Sequence, residues 1–352
     1  MSSKMLAIQL ARQGNKVLFL SHSLPEENHT PNLEIDTWPN NRPNTFRSAL
    51  WLWHLLRKNK TQIVLAHNAA INVVAVVSLL TRIQYRLAYY HSAYEASLMD
   101  ITASAFWVWL RRLRKGWVYR CYHQLVCVSQ FAAADAQQWF DVRPNKCIVI
   151  YNALLDRGKN PLPKPDSGHG LQFFSAGRMD AGKNVEQMVL GFLAFAQKHN
   201  TPCRLWIAGE GPLAPAIQSL ANEHPKYLKY LGGIPYPQVD EFIQNSHAVV
   251  ASTKAEAFGM TVLESLMLGT PVLANETGGI PEIMQHQKHG LFVKGFLPID
   301  WEDGFEKMAA AIGNKNLYAI WQKACRERYL ELFTAESQLA RLVDILNKKQ
   351  RE

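Results

Sequence analysis

The sequence predicts an α/β protein of two domains, each a mainly parallel sheet with helices on both faces. Three observations carry that expectation. Short apolar runs alternate with amphipathic stretches along most of the chain, the rhythm of strand–helix–strand units rather than of hairpins. The 352 residues exceed the ~100–200 typical of one domain. A polar stretch rich in proline and glycine, Asp156 to Gly170, interrupts the rhythm midway.

In the first half, the runs Val17–Ser21, Ile63–Ala66, Leu87–Tyr90, Leu125–Ser129 and Cys147–Tyr151 read as buried strands. Helices are expected near 46–58, 69–80, 101–120 and 131–140, the last capped by Ser129. In the second half, Leu171–Ser175, Arg204–Ala208, Ala248–Ser252, Pro271–Ala274 and Gly290–Val293 read as strands, with helices near 184–198, 213–223, 236–244, 260–268 and 302–313. The C-terminal tail reads as helix. The expected division is 1–160 as an N-terminal domain and 161–335 as a C-terminal domain. A helix over 336–352 is expected to pack back toward the N-terminal domain. Two such domains facing each other would form a cleft between them, a common place for small-molecule sites.

The opening of the chain departs from this scheme. A doubly wound domain begins with a central strand and a glycine-bearing turn, whereas this chain opens on the amphipathic Leu6–Gly14 and reaches its first strand at Val17. The N-terminal domain is therefore expected to lack its first strand and Gly-rich loop, with the natural protein carrying roughly one more strand and turn upstream.

The composition, 48% hydrophobic and 19% charged, is that of a globular protein. No run approaches the ~20 apolar residues that span a bilayer, and the first residues lack the pattern of a secretory signal. The five cysteines include no C-x-x-C pair, which suits neither a zinc site nor a disulfide framework. The expected location is cytoplasmic. The net charge of +9 is unevenly divided: residues 1–165 carry +11 and residues 166–352 carry −2. Such asymmetry points to an anionic partner for the first half.

The strongest chemical signal is the string Ala255 to Ala274, which leaves a strand, crosses a loop and enters a helix near Met260. Gly259 has no Cβ to obstruct a ligand. The N–H groups of Met260 and Thr261 open the helix, where phosphate oxygens are welcome. If the chain between Glu256 and Glu264 is largely helical, they lie ~12 Å apart, too far to share one proton. They suit the two ends of an extended ligand such as a nucleotide sugar, and a solvated Glu on each side of a loop is the lesser alternative. A second signal, Ser175 to Asn184, places Arg178 and Lys183 after a strand, at the edge where open α/β sheets bind ligands. Two cations there could neutralise a diphosphate, Arg178 as a fork and Lys183 as a point charge. Gly209 and Gly211 in Ile207–Leu213 form a weaker signal, a nucleotide-contact loop or a simple tight turn.

In order, these strings are G-R-x-x-x-x-K, G-x-G-P, E-x-F-G-x-x-x-x-E, G-T-P-V and T-G-G-I-P-E. Together they resemble the C-terminal half of the retaining glycosyltransferases of family 4, over about residues 125–295. The resemblance implies two facing Rossmann-like domains in the GT-B arrangement. It implies Arg178 and Lys183 on the donor pyrophosphate, and Glu256 on the transferred sugar. Gly259, Met260 and Thr261 would meet sugar and phosphates, and Glu264 the ribose. Gly209 and Gly211 join the donor-binding set. No metal or other cofactor is implied, because side-chain cations and a helix N-terminus serve its electrostatic role. Members often carry a histidine near the reacting sugar at a strand end, which makes His91 in Tyr89–Ser92 the candidate beside Glu256 for catalysis. A structural role for His91 is an open alternative, and His67 is the poorer candidate. Tyr151-Asn-Ala stands where the family usually shows Asn-Gly.

The acceptor must be sought in the basic half. Phe106 to Arg120 mixes Trp107 and Trp109 with Arg111, Arg112, Arg114 and Lys115, the composition of a helix lying in an anionic membrane interface. The alternative is aromatics facing the core and cations facing water. No nucleic-acid module is recognisable. The expectation is an enzyme moving a hexose or N-acetylhexosamine to a cell-envelope glycan, such as lipopolysaccharide, capsule or a lipid-linked oligosaccharide, at the inner face of the cytoplasmic membrane. Alternatives are another GT-B enzyme, such as a UDP-sugar epimerase or a soluble glycoside-forming transferase, and a non-catalytic nucleotide- or glycan-binding relative.

Overall fold

Among the described residues every strand pair is parallel. A computed structural model describes residues 3–21, 30–81, 83–94, 105–158, 170–199 and 202–351. Most of the expected 156–170 boundary and the start of the expected 101–120 helix lie outside the described residues. The chain forms two units: residues 1–91, 102–154 and 335–352 make the first, and 92–101 with 155–334 make the second.

Unit one runs α1 (Ser3–Arg12), β1 (Val17–Ser21), β2 (Leu33–Thr37), α2 (Phe46–Lys58), β3 (Ile63–Ala66), α3 (Ala70–Leu79), β4 (Tyr85–Tyr90), α4 (Ala105–Arg120), β5 (Gln124–Cys127), α5 (Gln130–Phe140) and β6 (Cys147–Val149). Two of its helices start at side-chain caps. Thr45 accepts the Ser48 N–H at 3.1 Å to open α2, and Ser129 accepts the Ala132 N–H at 2.8 Å to open α5. Among the described residues β1 and β2 pair only with each other, and β3-β4-β5-β6 form a second sheet. Leu87, Tyr89 and Val126 from that sheet make a core with Leu6 of α1.

Unit two runs β7 (Leu171–Ala176), α6 (Val185–His199), β8 (Cys203–Ala208), α7 (Ala214–Glu223), β9 (Leu228–Gly232), α8 (Tyr236–Gln244), β10 (Ala248–Ala251), α9 (Met260–Met267), β11 (Val272–Asn275), α10 (Ile280–Ile283), β12 (Gly290–Val293), α11 (Pro298–Gly313) and α12 (Lys315–Leu332). The final helix, α13 (Ala335–Arg351), belongs to unit one, where Leu339, Leu342 and Leu346 enter the core. The six strands of unit two lie in the order β9-β8-β7-β10-β11-β12. The first strand is thus central and the winding reverses between β7 and β10, the switch point at which such sheets bind ligands. Phe173 of β7 packs with Phe192, Phe195 and Phe305 in edge-on, tilted and stacked pairs, with ring centroids 5.1–6.3 Å apart.

Two strands were not expected from the sequence: β2 (Leu-Glu-Ile-Asp-Thr) and β9 (Leu-Lys-Tyr-Leu-Gly). Both are sheet edges. An edge strand keeps one side in water, so it tolerates charges and breaks the continuous apolar run that marks a central parallel strand. Helix α11 also begins four residues before the expected 302. Pro298 takes the first helical position and Asp300 accepts the Leu297 N–H at 2.9 Å, so the proline opens the helix instead of delaying it.

Candidate functional site

Three loops meet at the carboxyl edge of the unit-two sheet. The first follows β7 and carries Arg178, Asp180 and Lys183. Its turn is fixed by Asp180, whose Oδ1 accepts the Lys183 N–H at 3.1 Å, while its Oδ2 pairs with Arg178 at 2.7 Å. The second follows β10 and is sewn to the first. Ser252 Oγ donates to the Lys183 carbonyl at 2.7 Å, and the Lys254 N–H donates to the Gly182 carbonyl at 2.8 Å. The third follows β11. Asn275 Oδ1 accepts the Thr253 N–H at 3.0 Å, and the Gly279 N–H donates to the Glu256 carbonyl at 2.9 Å. These bonds place the Lys183 ammonium in contact with the Glu256 carboxylate, each about three-quarters buried. A small cavity of about 30 Å³ lies beside the pair, lined by Gly177, Arg178, Thr253 and neighbours.

The glycines of the G-x-G string have a structural task. Gly209 (φ 139°) and Gly211 (φ 150°) lie where a Cβ would meet the Gly177 carbonyl at 1.8 Å and the Met179 carbonyl at 2.5 Å. Only glycine permits that approach. It lets Met179 donate to the Glu210 carbonyl at 2.8 Å and accept from the Leu213 N–H at 2.9 Å. The string thus fixes the backbone on either side of Arg178. Gly259 (φ 114°) is the cap of α9, and a Cβ there would crowd Ile280 at 3.2 Å. Met260 and Thr261 form the first turn of that helix, tied to the end of β7 by Thr261 Oγ1 donating to the Ala176 carbonyl at 3.2 Å.

Glu264 lies on the same helix, only 5% exposed, and burial pushes its carboxyl above the ordinary range. A buried carboxylate needs a donor. Here it is the Tyr236 hydroxyl at the start of α8, a partner the sequence did not reveal. Burial and the neighbouring carboxylate push that phenol up to about 12. The Arg157 guanidinium lies 4.8 Å from the Tyr236 ring centroid and forks onto Asp240 at 2.7 and 3.0 Å. Glu256 and Glu264 therefore have separate partners, Lys183 and Tyr236.

In unit one, His91 follows β4 and His67 follows β3. Their rings are joined, His67 Nδ1 to His91 Nε2 at 3.1 Å, and Tyr89 stacks on both with centroids 4.2 and 5.0 Å away. Burial lowers His67 to about 3 and His91 to about 4, so both are neutral near pH 7.

Four of the α4 aromatics, Phe106, Trp107, Trp109 and Trp117, do not face the core, whereas Tyr119 does. Phe106, Leu110, Leu113 and Trp117, spaced to form one helical stripe, are 41–61% exposed, as are Trp107 and Trp109, while the buried positions are Gly116, Val118 and Tyr119. Arg111 and Arg114 are exposed on the same helix. Arg112 and Lys115 turn back to α5. Arg112 Nε donates to the Trp139 carbonyl at 2.6 Å, and the Lys115 ammonium lies 5.8 Å from the Phe140 ring centroid. Among the described residues no helix is long and apolar enough to cross a membrane, and no group of three His, Cys, Asp or Glu side chains could hold a metal ion.

Comparison with known proteins agrees with this architecture. The family profile described as "Glycosyltransferase Family 4" matches residues 2–154, and that described as "Glycosyl transferases group 1" matches residues 163–328. The chain therefore belongs to the group 1 glycosyltransferases of family 4. Trehalose synthase of Thermococcus litoralis is 30% identical over 209 residues, covering 59% of this chain and 46% of the synthase. The chain thus spans less than half the length of that relative. Among solved structures, a glycosyltransferase from Rickettsia africae superposes with a TM-score of 0.77 at 16% identity, covering 99% of this chain and 93% of that one. Anabaena HepE, solved in complex with UDP-glucose, gives 0.76 at 14% identity, covering 98% and 95%. These likenesses identify the fold as GT-B, with two Rossmann-like parallel-sheet units.

Proposed function

We propose that the protein is a retaining glycosyltransferase that moves a hexose or N-acetylhexosamine from a nucleotide-diphosphate sugar to a cell-envelope glycan. The carrying observation is the Lys183–Glu256 pair beside Arg178 at the switch point of unit two, with the buried Glu264 on the helix that follows. An ion pair at a ligand-binding sheet edge is a charged site awaiting a polar ligand. The donor diphosphate takes Lys183 and Arg178, releasing Glu256 to accept hydroxyls of the sugar. The first N–H groups of α9, at Met260 and Thr261 behind Gly259, add a partial positive charge to the phosphates. Glu264 accepts the ribose hydroxyls, and Gly209 and Gly211 hold the Arg178 loop in place. Leaving-group charge is stabilised by these fixed groups without a metal. His91 contacts the bound sugar. HepE, bound to UDP-glucose in its solved structure, supports a nucleotide sugar as donor.

The test is an incubation with UDP-, GDP-, ADP- and dTDP-hexoses and envelope glycolipid extracts, followed by NMR of the product's anomeric configuration. One donor is expected to give a retained product, lost in Lys183→Ala and Glu256→Ala. An inverted product, or none from any donor in the presence of acceptor, overturns the reading.

A second reading concerns where the acceptor is met. The outward stripe of α4, flanked by Arg111 and Arg114, supports docking on an anionic bilayer with its aromatics at the headgroup level. Arg143 and Lys146 lie near the end of the helix, where Arg120 is paired with Asp141 at 3.1 Å. A peripheral protein at the inner face of the cytoplasmic membrane and a lipid-linked acceptor follow. Co-sedimentation with vesicles containing phosphatidylglycerol is expected, and Trp109→Ser/Trp117→Ser should abolish it. Equal binding by the double variant would rule this surface out.

A further inference from the structure

The pairing of two neutral histidines at neighbouring strand ends has a consequence for the chemistry of His91. Strand register brings it about. Ala66 of β3 pairs with Ala88 of β4, so the next residue, His67, stands opposite Tyr89, and His91 stands two positions further along β4 on the same face as Tyr89. Diagonal neighbours in a sheet can touch when their side chains are aromatic, and here the imidazoles meet at 3.1 Å beneath the Tyr89 ring. Of two neutral rings, one must donate and the other accept.

Which donates is decided by what lies behind His67. Its Nε2 is buried without a hydrogen-bond partner among the described residues. Were His91 to donate, His67 would carry its own proton on Nε2, leaving an N–H buried and unsatisfied. If His67 donates through Nδ1, its Nε2 is a bare lone pair, and orphaned acceptors are tolerated better than orphaned N–H groups. His91 then accepts at Nε2 and must hold its proton on Nδ1.

We propose that His67 is a positioning residue that fixes His91 as the Nδ1–H tautomer, so that His91 offers a neutral N–H donor to an oxygen of the bound sugar. The proposal rests on the reading that His91 contacts the sugar, and it adds what His91 does there. A neutral donor can bind a hydroxyl or ring oxygen without placing a cation against a developing oxocarbenium charge. Burial supports this by keeping both rings uncharged near pH 7. Tyr89 acts as a lid on the pair, holding the two rings close to one plane (26° between them).

The test begins with the unaltered protein. Long-range proton–nitrogen NMR correlations of its histidines at pH 7 read the tautomer of His91 directly, with His91→Gln used to assign the signal. Protonation at Nδ1 is expected, and protonation at Nε2 overturns the proposal. His67→Phe keeps the stack on Tyr89 but removes the donor, so the Nδ1–H signature should disappear. Its kcat should fall on the order of 10- to 100-fold, the range seen when the hydrogen-bond partner that orients a metal-ligating histidine is removed, with donor KM little changed. His67→Asn, whose amide N–H can occupy the place of Nδ1, should restore most of the rate. An unchanged tautomer in His67→Phe, or failure of His67→Asn to recover activity while still folded, contradicts the positioning role. If the tautomer is as expected but His91→Phe has full activity, it is the contact of His91 with the sugar that fails, and the proposal falls with it.

Discussion

The two units use the same strand–helix repeat but differ in how completely they close a sheet around a site. Unit two has six strands in one doubly wound order, and three loops at its carboxyl edge are bound to one another through main-chain and side-chain hydrogen bonds. Unit one has its described strands in sheets of two and four, and its notable polar cluster is a stacked trio of rings rather than a ring of loops. Loops fixed at a switch point present charge at set positions, which suits a donor whose diphosphate is the same in every reaction. The exposed aromatic helix of unit one is, on the proposed function, the side that meets the acceptor.

The largest expected effect tests the charged loops. On the proposed function, Lys183→Ala and Arg178→Ala each remove a cation from the donor diphosphate, and a loss of about 10²–10³-fold in kcat is expected in steady-state assays. Changes of similar chemistry on α4, such as Arg114→Ala, should leave kcat with a soluble acceptor close to normal. If both sets behave alike, the division of labour between the units is wrong.

Packing comes next. Phe305→Ala opens a hole among four phenylalanines and should cost about 3–5 kcal/mol by denaturant unfolding. Leu342→Ala, where α13 enters the core of unit one, should cost about 2–5 kcal/mol. Two separate transitions, each moved by one of these variants, would show that the units unfold independently.

A smaller difference should appear with pH. Buried histidines held neutral in the native state take up protons on unfolding near the ordinary value of 6.5, so stability is full above that pH. It falls as the pH drops toward the native values of about 3 for His67, and about 4 for His91 and His289. Unit one carries these two and also His123, which partial burial lowers as well, and unit two carries His289. Acid should therefore weaken unit one more steeply, and His67→Phe should flatten its profile between pH 6.5 and 4. The smallest effect is expected from Ser129→Ala, about 1 kcal/mol for loss of the α5 cap.

Much of this comparison was legible in the sequence, for physical reasons that differ between the units. Arg178, Lys183, Glu256 and Glu264 stood in strings whose glycines and charges point to a ligand-binding loop, and the strands bearing them read as apolar runs. The edges β2 and β9 were not legible, because partial exposure replaces the apolar run with a mixture of charged and apolar residues. Tyr236 was hidden for another reason. Its importance lies in the carboxylate it meets, which is 28 residues away in the chain, and no local pattern encodes that meeting. His67 looked inferior to His91 because each was judged alone, whereas strand register makes them one unit. The aromatic face of α4 was undecided between core and surface, since composition does not say which way a helix is turned.

The most direct test of the central claim, that unit two is a nucleotide-sugar site built on Lys183, Glu256 and Glu264, is the thermal stability of the full chain with nucleotide sugars. A ligand at 100 times its Kd stabilises the native state by about 2.7 kcal/mol, a readily measured rise in Tm. One nucleotide sugar should give that rise in the unaltered chain and in the α4 variants, and none should in Lys183→Ala or Glu264→Ala. A rise that survives both substitutions would contradict the account, and so would the absence of a rise with every nucleotide sugar.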